Sequence, residues 1–504
     1  MKYLILLLSI SVAFHIKATD FTVSTLKAES TENFSPSLPS LEGFTEQAVR
    51  TKLLAYPSKG KTSVERMVGN FEALKFYRLG LITEWSKRQG EFPKAIFVRD
   101  GKVTLDEIHA AAPEELSITK DGKYIARVPI IVGHDGILVV DNHDTLLMSQ
   151  ESGAFLINAG VMFILNSEVS GWSETNGTYS EYSGDKKVFR PFITSMGGTR
   201  TYMVNSEFHS LGYESQKSYG ISLITHTDST LERAPAIGEG IDPSGPPTGW
   251  LLNNKFVEIY FGFFSYEAED VAIVGNHYID NIVYGIDPHD RSERLIIAKN
   301  IVEGAREKHG IIISREVNNS FIFANTVFNN NRSGIMLDRS CEHNIVANNT
   351  IYNNGGDGIT FYESSHNVTW KNKIYENKEH GIRVRNSIDV SLVDEIVMAN
   401  KGSAVYFHTR DLSDHTHRDL ALDPYTMLVS GSVTGGLFAY NESGAIHGED
   451  ISTVELANLT LQKNGGTKGS LGFTGDFALH QTEIVRQLYA KQAAGVKLER
   501  SETE

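Results

Sequence analysis

Three side chains in the second half of the chain have the types that carbon-acid chemistry needs. Asp287 and His289 stand two residues apart, and Arg315 follows one sequence repeat later. In an extended strand, residues two apart point to the same face. A carboxylate beside an imidazole orients the ring and adjusts its proton affinity near neutral pH. A guanidinium one repeat away holds a carboxylate through paired N–H bonds, which a lysine does not match. This constellation is what abstraction of a proton alpha to a carboxylate requires. That hydrogen is a very weak acid, because its carbanion adds charge to an already anionic group. Arg315 neutralises that charge where it develops, and neutral His289 takes the proton. Positioned acid–base help of this kind is worth roughly 10²–10⁴ in rate.

The elements that hold these residues are set by a repeat. Gly-Ile pairs fall at 285–286, 310–311, 334–335, 358–359 and 381–382, spaced 25, 24, 24 and 23 residues, and Gly262-Phe263 stands 23 residues before the first. Nine or ten residues ahead of each glycine is an asparagine: Asn253, Asn276, Asn300, Asn325, Asn349 and Asn372. A period of this length means a solenoid. The segments inside each period are short and β-branched, such as Gly310-Ile311-Ile312-Ile313, and runs at helical spacing are missing. Short strands stacked once per repeat predict an all-β fold, a parallel β-helix with coils ~4.8 Å apart. Stacked asparagine amides then hydrogen-bond along the axis.

Counting from each glycine as zero, positions 1 and 3 face inward and are apolar: Ile311 and Ile313, Ile335 and Leu337, Ile359 and Phe361, Ile382 and Val384. Positions 2, 4 and 5 face outward. They place Asp287, His289 and Asp290 on one coil and Arg315 on the next, then Arg339, Tyr362, and Arg383 with Arg385 further on. Such a strip suits an extended acidic polymer, with Asp290, Arg339, Tyr362, Arg383 and Arg385 as its contacts. It equally suits a solvated face whose arginines pair with Asp290, Asp338 and Glu363.

The chain divides into a signal peptide at 1–18, a partly helical N-terminal extension at 19–130, the β-helix at 131–425, and terminal coils with a helical cap at 426–504. Lys2, the apolar run Tyr3–Phe14 and Ala18 have the pattern of an export signal, too short to span a bilayer. No later segment is apolar enough to span either. Val64, Met67, Val68, Phe71 and Leu74 recur at helical spacing within 44–90. Gly238–Gly249 holds four glycines and three prolines and reads as a loop leaving the solenoid. Arg410–Arg418 is a second interruption, with a lid and a plain surface excursion equally open. The one cysteine, Cys341, excludes an intrachain disulfide framework, and no ligand spacing demands a metal or other cofactor. A net charge of −15 over 504 residues excludes a general nucleic-acid binder.

The run Tyr284-Gly-Ile-Asp-Pro-His-Asp290, with Lys308-His-Gly-Ile-Ile-Ile-Ser-Arg-Glu-Val317, Gly334–Arg339, Asp357–Glu363 and His380–Ser387, resembles the periplasmic mannuronan C5-epimerases of bacterial alginate biosynthesis. The likeness covers most of residues 185–425. It implies a right-handed parallel β-helix that converts mannuronate to guluronate within the polymer. It also implies His289 as base, Asp287 as its assistant, Arg315 as the group that neutralises the substrate carboxylate, and Tyr284 or water as proton donor. The implied setting is the periplasm, the implied partners polymannuronate and a polymer-export complex. Two other readings stand beside it: a lyase that removes the same proton and expels the 4-linked sugar, and a non-catalytic scaffold that holds the polymer during export.

Overall fold

The structure, a computed structural model, describes residues 21–26, 34–57, 59–67, 85–225, 245–414, 418–421, 423–466, 471–490 and 495–501. The proposed signal peptide lies outside these residues. Each repeat lays down three short strands; the coil that carries the DPH run has Tyr284–His289, Ile296–Ala298 and Ile301–Glu303. Equivalent strands of successive coils pair in parallel and build three sheets of 15 strands each. Ile286, Ile311, Ile335, Ile359 and Ile382 stand in one register column and are fully buried. Each contributes about 1.5–3 kcal/mol by leaving water, so a one-residue slip would expose the whole column.

The invariant glycine beside each isoleucine serves close approach. A Cβ on Gly285 would lie 2.3 Å from Val302 Cγ1 and 2.7 Å from the carbonyl oxygen of Gly310 on the next coil. The amide ladder runs Asn254, Asn276, Asn300, Asn325, Asn349, Asn372, with Nδ2-to-Oδ1 bonds of 2.9–3.0 Å. Its first member is Asn254 rather than Asn253, whose left-handed backbone places it in the turn at φ 54°. The column ends on Glu395, whose carboxylate accepts from Asn372. A second ladder of Asn330, Asn354, Asn377, Asn400, Asn441 and Asn464 runs beside the first.

The N-terminal extension differs from expectation. The parallel stack starts before residue 131, because Lys94–Arg99 already pairs with Ile130–Val132. Among the described residues of the stretch predicted as helical over 44–90, Glu46–Leu54 is an α-helix, capped by the Thr45 hydroxyl. Val64 lies in the strand Lys61–Arg66, which pairs antiparallel with Lys94–Arg99. The open edge of a sheet outcompetes a helix that would have no second face to bury; Val68, Phe71 and Leu74 fall outside the described residues. Phe21–Leu26 sits at the far end of the solenoid, antiparallel to Gly495–Arg500, while Phe44 packs edge-on against Trp250. The extension therefore covers the open N-terminal sheet edge with Lys61–Arg66 and also contributes Phe21–Leu26 at the opposite end. The C-terminal cap is present: helix Asp476–Val485 buries Phe477 and Ile484 against the last coils.

Candidate functional site

The sheet that contains Tyr284–His289 carries the candidate site on its outer face. His289, Ser314, Asp338, Tyr362, Arg385 and His408 form one register column across six coils. Immediately after this column each strand turns through a left-handed residue: Asp290, Arg315, Arg339, Glu363 and Asn386 have φ of 34°, 58°, 58°, 52° and 48°. This turn moves the chain to the next sheet and sets Asp290, Arg315 and Arg339 in a row beside the column.

Asp290 is the carboxylate that orients the His289 ring. Its Oδ2 forms a short hydrogen bond with His289 Nδ1, and Arg315 Nη1 lies 3.8 Å from its Oδ1. Burial alone would push the Asp290 carboxyl up, but His289 and Arg315 outweigh it and hold the group below the usual carboxylate range. An ionised Asp290 fixes the proton of neutral His289 on Nδ1 and leaves Nε2 as a lone-pair acceptor. The sequence expectation gave this orienting role to Asp287. The outward register of Asp287 holds, yet its carboxyl is 2% exposed and its Oδ1 has no hydrogen-bond partner. Burial, opposed by the charge of His289 and reinforced by Asp290 and Asp338, raises it to about 7. The partner missed from the sequence is simply the next residue. Strict alternation sets Asp290 aside, but the turn swings it back toward the ring.

The arginines divide into two kinds. Arg315 is about half exposed, and among the described residues its one ion pair is the long contact to Asp290. Arg339 has only longer pairs, at 3.3 Å to Asp338 and 3.6 Å to Asp423. Arg383 is held by Asp357 at 2.8 and 3.0 Å and also pairs with Glu379. Arg385 pairs with Glu363 at 3.3 Å and lies 3.5 Å above the ring of Tyr362. The first two keep donors free for an added carboxylate, whereas the latter two and Tyr362 are largely engaged within the fold.

The excursion after His408 is an anchored wall. Asn386 and Arg410 exchange two hydrogen bonds. Arg418 is nearly buried, pairs with Glu363, and donates to Asp423 Oδ1 at 3.0 Å and to its carbonyl oxygen at 2.8 Å. A cavity of about 260 Å³ opens between this wall and the turn row, lined by Asp290, Arg315, Arg339, Arg418 and Asp423 among others. Residues 415–417 lie outside the described residues. So does most of the predicted Gly238–Gly249 loop, and Gly249 itself belongs to strand Thr248–Leu252.

Tyr284 begins the same strand as His289, at its opposite end, and its ring lies parallel to that of His309 on the next coil at 6.1 Å. Burial, with Asp287 and Asp338 nearby, pushes its phenol up, so it keeps its proton at neutral pH. Burial also lowers His309 to about 4, so its imidazole is neutral. Cys341 is buried with its thiol pushed up, and takes no part in the site.

Fold and site together define a class: a parallel β-helix protein whose groove joins a carboxylate-bound imidazole to a guanidinium with donors free. Comparison with known proteins narrows it. The chain is 45% identical over 88% of its length to the mannuronan C5-epimerase of Pseudomonas aeruginosa, 80% of which is covered. It is 41% identical over 95% of its length to the mannuronan C5-epimerase AlgG of Azotobacter vinelandii, 89% of which is covered. Among solved structures, the periplasmic alginate epimerase AlgG superimposes with a TM-score of 0.80 at 42% identity, covering 85% of this chain and 99% of that one. The chain belongs to the mannuronan C5-epimerase family. The profile of a family described as periplasmic copper-binding protein (NosD) also matches residues 222–415. That segment is the repeated coils, and among the described residues no three His, Cys, Asp or Glu side chains converge as metal ligands.

Proposed function

We propose that the protein works in the periplasm and epimerises β-D-mannuronate to α-L-guluronate residues within polymeric alginate. The observation that carries the reading is the line Arg315–Asp290–His289, in which one carboxylate orients the base and a guanidinium beside it keeps its donors free. Arg315 takes the carboxylate of the reacting sugar. His289 Nε2 takes the C5 proton, and the electron pair of that C–H bond moves into the carboxylate. The resulting dianion is stabilised where its charge grows. A proton delivered to C5 from the opposite face completes the inversion. Tyr284, which keeps its phenol proton, is the protein's candidate donor, and water is the other source. Asp287 stays out of contact with the sugar and acts on the charge that His289 gains. Arg339 receives a neighbouring carboxylate; Arg383, Arg385 and Tyr362 shape the strip that the polymer follows. A protein acting on a polymer in transit belongs beside the periplasmic export machinery.

The overall charge of −15 opposes long-range attraction of a polyanion. Attraction is then local to Arg315 and Arg339 and is felt within a Debye length of about 10 Å. The test is incubation with polymannuronate followed by proton NMR. New guluronate signals at unchanged chain length support the reading. Unsaturated ends absorbing in the ultraviolet would instead make the protein a lyase, and an unaltered polymer would leave only a scaffold.

A further inference from the structure

The outer face of the groove sheet changes character at His289. Toward the N-terminus it is a second hydrophobic core. Ile224, in register with Tyr266, packs with Phe97, Phe155, Phe192, Tyr213 and Phe264 in one buried cluster. Tyr266 stands next to His289 in the same column. Lys217 Nζ sits 3.0 Å over its ring, and Arg291 donates to its hydroxyl at 3.2 Å. The ring of Phe264 lies 5.9 Å from that of His289. Toward the C-terminus the His289 column itself is polar or charged on coil after coil, through Ser314, Asp338, Tyr362, Arg385, His408 and Glu449, with Arg385 and His408 largely buried and the neighbouring outward positions Ile312 and Met336 apolar. From His289 to Glu449 is six coil steps, about 29 Å at the usual strand spacing.

We infer that the groove is one-sided: the sugar being converted occupies its closed end, against Tyr266 and Phe264, and the bound polymer runs from there toward the C-terminal coils. The inference rests on the epimerase reading and adds the placement of the chain. A hydrated uronate gains nothing by entering an aromatic core, because its hydroxyls and carboxylate would lose water without finding partners. Sugars beyond the reacting one on the closed side therefore lift away from the sheet into solvent. Those on the open side meet Arg315 and Arg339, whose donors are not used up within the fold. An oligomer collects the most contacts when its reacting sugar is near one particular terminus.

The test uses oligomannuronates of increasing length, isotopically labelled at the reducing end, with the converted unit located by fragmentation mass spectrometry after a single early time point. The expected result is conversion at the same few positions counted from one terminus, unchanged as sugars are added at the other. Conversion that stays at the middle as the chain grows, or spreads evenly, overturns the inference. Hydrogen exchange with a bound oligomer reads the placement without turnover. Slowed exchange in the turns after 338, 362, 385 and 408, with none in the turn after 196, supports it, and slowed exchange after 196 overturns it. Absence of any conversion would sink the epimerase reading, while the exchange pattern would still decide where the polymer lies.

Discussion

Replacing Asp287 by Asn tests the physical account of this site most sharply. The wild-type carboxyl is buried with one oxygen unpartnered, and its titration moves from the ordinary 3.8 to about 7. The folded value lies above the unfolded one, so the folded protein keeps a proton that the unfolded chain has released. Stability contributed by this group is fully present below about pH 4, falls as pH rises toward 7, and levels off above. At 1.36 kcal/mol per pH unit, ionising it in the folded protein costs roughly 4 kcal/mol, and local relaxation and water entry bring this to about 2–4 kcal/mol.

Asn keeps the shape and cannot ionise, and it removes a negative charge facing Asp290 and Asp338. The variant should match wild type at pH 4.5 and exceed it by about 2–4 kcal/mol at pH 8, a rise in melting temperature of a few degrees for a chain of this size. Thermal melts of both proteins across pH 4.5–8 measure the difference directly. A variant equally destabilised at every pH would refute the reasoning, since it would mean that Asp287 is ionised and bonded in the native state. A difference independent of pH would refute it as well.

Asp290→Asn removes the charged acceptor of His289 Nδ1 while leaving the fold's pairing intact. A charge-assisted bond of this kind is worth about 1.5–3 kcal/mol, so steady-state assays on polymannuronate should show kcat lowered roughly 10- to 100-fold, with a modest loss of stability in thermal melts at neutral pH, where the wild-type carboxylate is held below its usual range. Glu395→Gln acts on the ladder's end, where burial raises the carboxyl to about 8 against an ordinary 4.5. By the same sign as Asp287, wild type loses stability between about pH 4.5 and 8. Gln offers one acceptor where both Glu395 oxygens accept from Asn372, so the variant should lie below wild type at pH 4.5 and gain on it as pH rises to 8.5 in denaturant titrations.

The coils were legible because each carries its own marks. A glycine with no room for a Cβ and an isoleucine with no exposure recur wherever one coil packs on the next. That rule fixes register, so it also placed Asp287 and His289 on the outer face. It fails where a strand ends. Asp290 lies one step past the alternating segment, and only its left-handed backbone brings it to the imidazole. The second amide ladder was legible by the same frame, since Asn330, Asn354 and Asn377 each stand four residues before the repeat glycine. The extension misled for a different reason: Val64 and Met67 are three apart on a helix, but an unpaired sheet edge at Lys94–Arg99 was available to pair with Lys61–Arg66.

The two carboxylates show why outward register does not mean hydration. Asp287 and His289 share a face, yet Phe264 and the neighbouring aromatics dry the first and leave the second partly open. Position in the repeat tells which way a side chain points; what lies over it decides its charge. A buried carboxyl beside a base must keep its proton until the base becomes cationic, because two adjacent negative charges would repel an incoming uronate. Asp290 escapes that penalty through Arg315, and Asp287 has no such partner. The sequence DPHD thus contains one carboxylate that positions the imidazole and one whose ionisation follows it, a division of labour set by a single turn.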